Sequence, residues 1–159
     1  MKRSFLIVLV VLAALANASQ ADAISATSSR AFERFEQRVC KAEIAQSREA
    51  NPVVLRFNLL YNEPEQTPET LQAAGRELRQ AYGIYQRFNK RILAMRAPAA
   101  SAALWKRYGK QQRRVQRLGF QGASALEAAD LSSFERIKVR NENWQRQRNA
   151  TWSRIGFVC

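Results

Sequence analysis

The chain has 159 residues, of which 26 are Lys or Arg and 13 are Asp or Glu, so its formal net charge is +13 at pH 7. It contains no His, which excludes the commonest general base and the commonest metal ligand. The length suits one domain with a hydrophobic core of its own. No catalytic motif is recognisable, so we predict a non-catalytic protein without cofactor or metal.

The N-terminus has the pattern of an export signal. Lys2 and Arg3 precede an apolar run over residues 5–16, and small residues follow up to Ala18 and Ala21. Twelve apolar residues span about 18 Å as a helix, well short of the ~30 Å membrane core. The pattern therefore predicts a signal peptide, cleaved after Ala18 or Ala21, and a secreted or periplasmic protein.

The whole chain divides into three predicted parts. We predict a signal peptide over residues 1–21, a flexible linker of small polar residues over 22–29, and a single helical-bundle domain over 30–159. Removing the signal leaves 138 residues with a net charge of +11. No later segment is apolar enough to span a bilayer, so we expect no transmembrane segment in the mature chain.

The first predicted helix begins near Ser29. Its apolar residues recur at spacings of three and four, as on one face of a helix: Phe32, Phe35, Val39 and Ala42. It is expected to fade near Glu49, because Pro52 disfavours a helical conformation at Asn51. Residues 53–61 form either a short helix or a strand, and the absence of a partner strand favours the helix.

The second predicted helix has the strongest pattern. Thr67 is a capping residue and Pro68 suits the first turn. Apolar residues then follow two heptad series, Leu71, Leu78, Tyr85 and Ile92 in one and Ala74, Ala81, Phe88 and Met95 in the other. We expect Leu78, Tyr85, Phe88 and Ile92 to be buried, and the helix to end at Ala97–Pro98.

Two further helices complete the pattern. The third is predicted over residues 99–118, with Ser101 and Gln111 as polar members of its inner stripe. Two glycines, Gly119 and Gly122, are expected to loosen the chain before a short helix over 123–129. The fourth is expected to begin with a capping box, Ser132 and Glu135, and to end at Gly156.

Four amphipathic helices without strands predict an all-α fold, an antiparallel four-helix bundle in up-down-up-down order. The only cysteines, Cys40 and Cys159, are expected to form a disulfide, since an exported chain meets an oxidising environment. Such a bundle returns the end of the fourth helix toward the start of the first. The predicted order of the helices is therefore consistent with the predicted disulfide.

The pattern resembles small exported Ala/Arg-rich helical proteins of high-GC actinobacteria. The shared features are the single Cys in the first helix, the break at Ala97–Pro98 and the ending Gly156-Phe157-Val158-Cys159. Those proteins have no established activity. The resemblance implies the helical fold, export and the disulfide, and it implies nothing about function.

Positive charge is concentrated in one part of the chain. Residues 76–117 contain twelve basic residues and a single acid, Glu77. On the third predicted helix, four basic residues recur at spacings of 3, 4 and 3 opposite the apolar stripe: Arg107, Lys110, Arg114 and Arg117. This face is either a solvated surface without a specific role or a binding face for an anionic partner, namely an envelope polymer, lipid headgroups, nucleic acid or an acidic protein.

Other residues suggest alternative functions. Glu33, Glu36 and Glu43 share one side of the first helix and are interpreted as ion-pair partners of Arg30, Arg34 and Lys41 rather than as an acid–base or metal site. Residues 53–61 are the alternative partner surface, for helix-mediated protein binding or a chaperone-like activity. An unrecognised enzyme is the third hypothesis, with an unknown small-molecule substrate.

Overall fold

The computed structural model describes residues 30–159, so the predicted signal peptide and linker lie outside the described residues. It contains four α-helices: α1 is Arg30–Tyr61, α2 is Pro68–Leu93, α3 is Ala102–Glu127 and α4 is Leu131–Ile155. A 3₁₀ turn over Ala99–Ser101 precedes α3. Residues 30–159 contain no strand, so the predicted all-α class is confirmed.

Each helix packs against its neighbour in the chain, α1 on α2, α2 on α3 and α3 on α4. One hydrophobic cluster, the disulfide-end cluster, joins the starts of α1 and α3 to the ends of α2 and α4. A second cluster joins the ends of α1 and α3 to the starts of α2 and α4. This packing is compatible with a helix bundle.

The first helix does not break at Pro52. α1 continues through this proline to Tyr61, so the predicted end near Glu49 is wrong. The helical conformation expected for residues 53–61 is confirmed, although these residues are part of α1 and not a separate helix. Proline inside a helix costs about 3 kcal/mol, because it lacks an N–H and its ring crowds the preceding turn. Buried Ala50 and Val53 on either side of Pro52 pack against α2 and offset that cost.

The glycines of the third helix do not interrupt it either. α3 runs from Ala102 through Gly119 and Gly122 to Glu127, so the predicted end at Leu118 is wrong. Both glycines are buried where another helix comes close. The ring of Tyr82 lies directly against Gly119, and that of Phe134 lies against Gly122. Glycine serves here as a contact surface rather than as a flexible point.

The ends of the helices are largely as expected. The Oγ1 of Thr67 accepts the backbone N–H of Thr70, and Gly156 ends α4 with a φ of 87°, as predicted. The predicted capping box of α4 is wrong, because its cap is Asp130, whose Oδ1 accepts the N–H of Ser133 at 2.9 Å. Asp is as good a cap as Ser, and it starts the helix earlier.

The heptad pattern correctly predicts which face of α2 lies toward the core, but the residues on that face are less buried than predicted. Ile92 is fully buried, whereas Leu78, Tyr85 and Phe88 are only half-buried and lie at the margin of the core. The helix ends at Leu93, four residues before the predicted Ala97–Pro98 break.

The C-terminus is fastened to α1. Cys40 and Cys159 form the expected disulfide, with their Cα atoms 5.3 Å apart. Phe157 is buried in the disulfide-end cluster against Phe35, with ring centroids 5.4 Å apart. The carboxylate of Glu36 accepts the backbone N–H of Val158 at 2.7 Å. Covalent, apolar and polar contacts therefore converge on the last three residues.

None of the helices between residues 30 and 159 combines the length and the apolar character that crossing a membrane requires.

Candidate functional site

The predicted basic residues form a continuous outer face on α3. Arg107, Lys110 and Arg117 are exposed, and Lys106 and Arg113 lie exposed beside them. None of these five forms an ion pair with a carboxylate of the described residues. Only four basic residues within residues 30–159 are paired with a glutamate: Arg56, Arg79, Arg87 and Lys138. We call the five unpaired residues the α3 basic face.

Arg114 behaves differently from its predicted companions. It is half-buried, and its guanidinium carbon lies 5.6 Å from the centroid of the Trp144 ring on α4. Its Nε is buried without a hydrogen-bond partner among the described residues. A cation over an aromatic ring is held by the negative face of that ring. Arg114 therefore belongs to the α3–α4 contact, and the structure separates it from the α3 basic face.

A groove runs beside the α3 basic face, between α2 and α3. It has a volume of about 460 Å³ and is open to solvent. Its lining combines two guanidinium groups, three amides, a hydroxyl and an aromatic ring: Arg113, Arg117, Gln86, Gln116, Gln121, Ser124 and Phe120. We call it the α2–α3 groove. Its residues come from two helices, so the spacing of residues along one helix does not reveal it.

A second groove, of about 690 Å³, lies between the start of α1 and residues 96–99. Arg34, Arg38 and Arg96 line it together with alanines and Pro98. The Nε atoms of Arg34 and Arg38 donate to backbone carbonyls of their own helix. Two of its three guanidinium groups are thus partly engaged, whereas Arg113 and Arg117 in the α2–α3 groove have no such bond.

The interior of the bundle also contains polar residues. The phenol of Tyr108 donates to Glu43 Oε1 at 3.4 Å, and Arg148 donates to the Gln112 amide oxygen at 3.0 Å. Several interior side-chain atoms have no partner among the described residues: Tyr85 Oη, both polar atoms of Asn89, Gln111 Oε1 and Asn141 Oδ1. The predicted polar members Ser101 and Gln111 are both buried.

Glu43 is the only one of the three predicted carboxylates that lies in this interior. Burial raises the pKa of its carboxyl group, against the opposing effects of the Arg148 charge and the Tyr108 hydrogen bond. Glu33 is exposed, and Glu36 binds the backbone of Val158. Neither these three nor Arg30, Arg34 and Lys41 form an ion pair within residues 30–159, so the predicted pairing is wrong. The inward position of Glu43 could have been predicted from the sequence, because it follows the buried residues Phe35 and Val39 at intervals of four.

We expect the substitution Glu43→Gln to stabilise the protein at neutral pH. A carboxyl group whose pKa is raised on folding binds more protons in the folded than in the unfolded state, so stability falls as pH rises from the unfolded pKa, near 4.5, through the folded pKa. Gln removes that penalty and retains an oxygen for the Tyr108 hydroxyl. Urea unfolding of parent and variant at several pH values from 4 to 8 measures the effect.

Glu33→Gln is the matched control for this experiment, because Glu33 is exposed on the same helix. It should change the stability at pH 7 by no more than ~0.5 kcal/mol, as is usual for an exposed residue. A Glu43→Gln variant less stable than the parent at pH 7 would show instead that attraction to Arg148 outweighs the cost of burial.

The described residues contain no group of three or more Cys, Asp or Glu side chains that could hold a metal ion. The three tryptophans pack rather than line a site: Trp105 is buried and donates its Nε1–H to the carbonyl of Met95 at 3.1 Å, and Trp152 packs on Tyr108. The tryptophans thus serve the packing of the bundle, together with Trp144 beneath Arg114.

Comparison of the chain with known protein families, with characterised proteins and with solved structures found no match.

Proposed function

We propose that this protein is an exported, non-catalytic helical domain that binds an anionic polymer through the α3 basic face. The observation that supports this most is the concentration of exposed basic residues on one face of α3. Five exposed basic residues stand side by side on α3 without a carboxylate partner among the described residues. Like charges close together on a helix cost some stability, and a surface selected only for solubility mixes both signs.

Export rests on the signal peptide predicted for residues 1–21. A disulfide also suits an oxidising compartment better than a reducing one. Outside the cytoplasm the available polyanions include envelope polymers and lipid headgroups, and electrostatic attraction to any of them depends on salt.

The test is a triple variant, Arg107→Gln, Lys110→Gln and Arg117→Gln, measured for binding to heparin at about 50 and about 200 mM salt. Each basic contact with a polyanion adds about one to the slope of log affinity against log salt. The parent should therefore lose roughly 40-fold more affinity than the variant over this range. Surface substitutions rarely cost more than ~0.5 kcal/mol, so the melting temperature should barely change.

The matched control removes the same number of charges elsewhere. Arg48, Arg140 and Arg154 are exposed on α1 and α4, and none has an ion pair among the described residues. Their replacement by Gln lowers the net charge equally but leaves the α3 basic face intact. Equal losses in both triple variants would mean that only net charge matters. If the parent does not bind heparin at low salt, the α3 basic face is merely solvated.

One observation favours a second function, helix-mediated binding of a protein partner. Leu55 and Leu59 lie one turn apart on α1 and are 62% and 73% exposed. An apolar contact of this kind gains little from electrostatics. Partner binding that persists at about 200 mM salt and is lost on Leu55→Ser and Leu59→Ser would support this function over polyanion binding.

A further inference from the structure

We infer that the α2–α3 groove binds a segment of an acidic polysaccharide, and that it gives the α3 basic face its specificity. This inference rests on the proposed function, because Arg113 and Arg117 belong to both the groove and the basic face. It adds the chemical class of the ligand: a polymer of sugar units that carry carboxylates and hydroxyl groups.

The central feature of the groove is Phe120. It is half-buried, and it belongs to none of the three hydrophobic clusters, unlike the other phenylalanines of the described residues. A half-buried phenyl ring outside these clusters leaves part of its surface open to solvent. Its face carries partial negative charge and attracts the partly positive C–H groups of a sugar ring.

The surroundings of Phe120 hold it in place. Its ring centroid is 6.0 Å from that of Tyr82, which is buried against Gly119 and accepts a hydrogen bond from Asn141 at 2.8 Å. Beyond Phe120, the Ser124 hydroxyl donates to the Phe120 carbonyl and accepts from Arg79 at 2.9 Å. An aromatic ring that is already fixed has less conformational entropy to lose on binding.

The three amides around this ring have unused hydrogen-bonding groups. Gln86 and Gln121 are exposed and make no hydrogen bond to other described residues, and Gln116 Nε2 is buried without a partner. An amide both donates and accepts, so three amides suit the hydroxyl groups of a sugar. The guanidinium groups of Arg113 and Arg117 suit carboxylates, which they can bind with two parallel hydrogen bonds.

This composition favours a polysaccharide over a single-stranded nucleic acid. Sites for single strands present several aromatic rings, on which successive bases stack. The α2–α3 groove has one ring and three amides. The predicted export of the chain also places it where glycans are the more abundant polymer.

The experiment compares two probes with the same number of carboxylates, an oligogalacturonate and an oligoacrylate. Only the first has sugar rings and hydroxyl groups. We expect the parent to bind the oligogalacturonate at least tenfold more tightly. The double variant Gln86→Ala and Gln121→Ala should lose roughly tenfold in affinity for it, since two hydrogen bonds disappear. The affinity of this double variant for the oligoacrylate should not change, and neither should the slope of its log affinity against log salt concentration.

Phe120→Leu is a second variant, which keeps the bulk of the side chain but removes the ring face. It should weaken binding of the oligogalacturonate about fivefold to tenfold and leave binding of the oligoacrylate as it was. The matched control is Gln80→Ala and Gln147→Ala, two exposed glutamines outside the groove, which should have no effect.

The outcomes separate the two proposals. Equal affinity for both probes, with groove variants that bind like the parent, overturns the polysaccharide site but leaves a general polyanion face. Failure to bind either probe at low salt overturns the proposed function itself. Tighter binding of an oligothymidylate than of the oligogalacturonate, weakened by Phe120→Leu, would identify a nucleic-acid site and overturn the inference.

Discussion

Removal of the disulfide by Cys40→Ser and Cys159→Ser is expected to lower the free energy of unfolding by about 4 kcal/mol. The two cysteines are 119 residues apart in sequence, so the bond closes almost the whole described chain into one loop. Such a loop has far fewer unfolded conformations than an open chain, and the loss of that restriction favours unfolding. Urea unfolding of the variant and of the unreduced parent measures the difference.

Part of the C-terminal packing should survive this substitution. Phe157 stays apolar, and the Glu36 carboxylate is still available to the N–H of Val158. The variant should therefore remain helical at low denaturant. Titration of the denatured, unreduced parent with a thiol reagent tests the bond directly. Two reactive thiols per chain, or a double variant as stable as the parent, would contradict the prediction.

Substitution of Gly75 by Ala is expected to destabilise the protein by about 1–3 kcal/mol. The added methyl would lie 2.7 Å from the backbone nitrogen of Glu127 and 2.9 Å from the carbonyl oxygen of Ala123, so α2 and α3 would have to move apart. Gly119→Ala should cost a similar amount, because its methyl would overlap the buried ring of Tyr82. Thermal unfolding followed by circular dichroism measures both effects.

Gly83→Ala provides the matched control on the same helix as Gly75. Its methyl would meet no atom within 4 Å, and alanine restricts the unfolded chain more than glycine does. This variant should be stabilised by roughly 0.5–1 kcal/mol. If all three alanine variants are stabilised alike, the helices do not approach as closely as the structure shows.

The candidate site was only partly predictable. The spacing of Arg107, Lys110 and Arg117 indicated an outer face, because helical periodicity alone places these residues on one side. The same spacing included Arg114, which the structure places over Trp144 instead. Periodicity predicts the face of the helix on which a side chain lies. It does not predict which residues of a neighbouring helix contact that side chain. The α2–α3 groove, to which α2 contributes Gln86, was for the same reason not predictable.

The sequence by itself determined the helical class, the cap at Thr67, the end at Gly156 and the concentration of positive charge. These depend on composition and on neighbours within one or two turns. Only the tertiary structure decided that α1 continues through Pro52, that Gly119 lies inside α3, and that Glu43 is half-buried against Tyr108. At Pro52 and Gly119 a local preference was outweighed by packing against another helix, because the free energy gained by covering apolar surface exceeds the local cost.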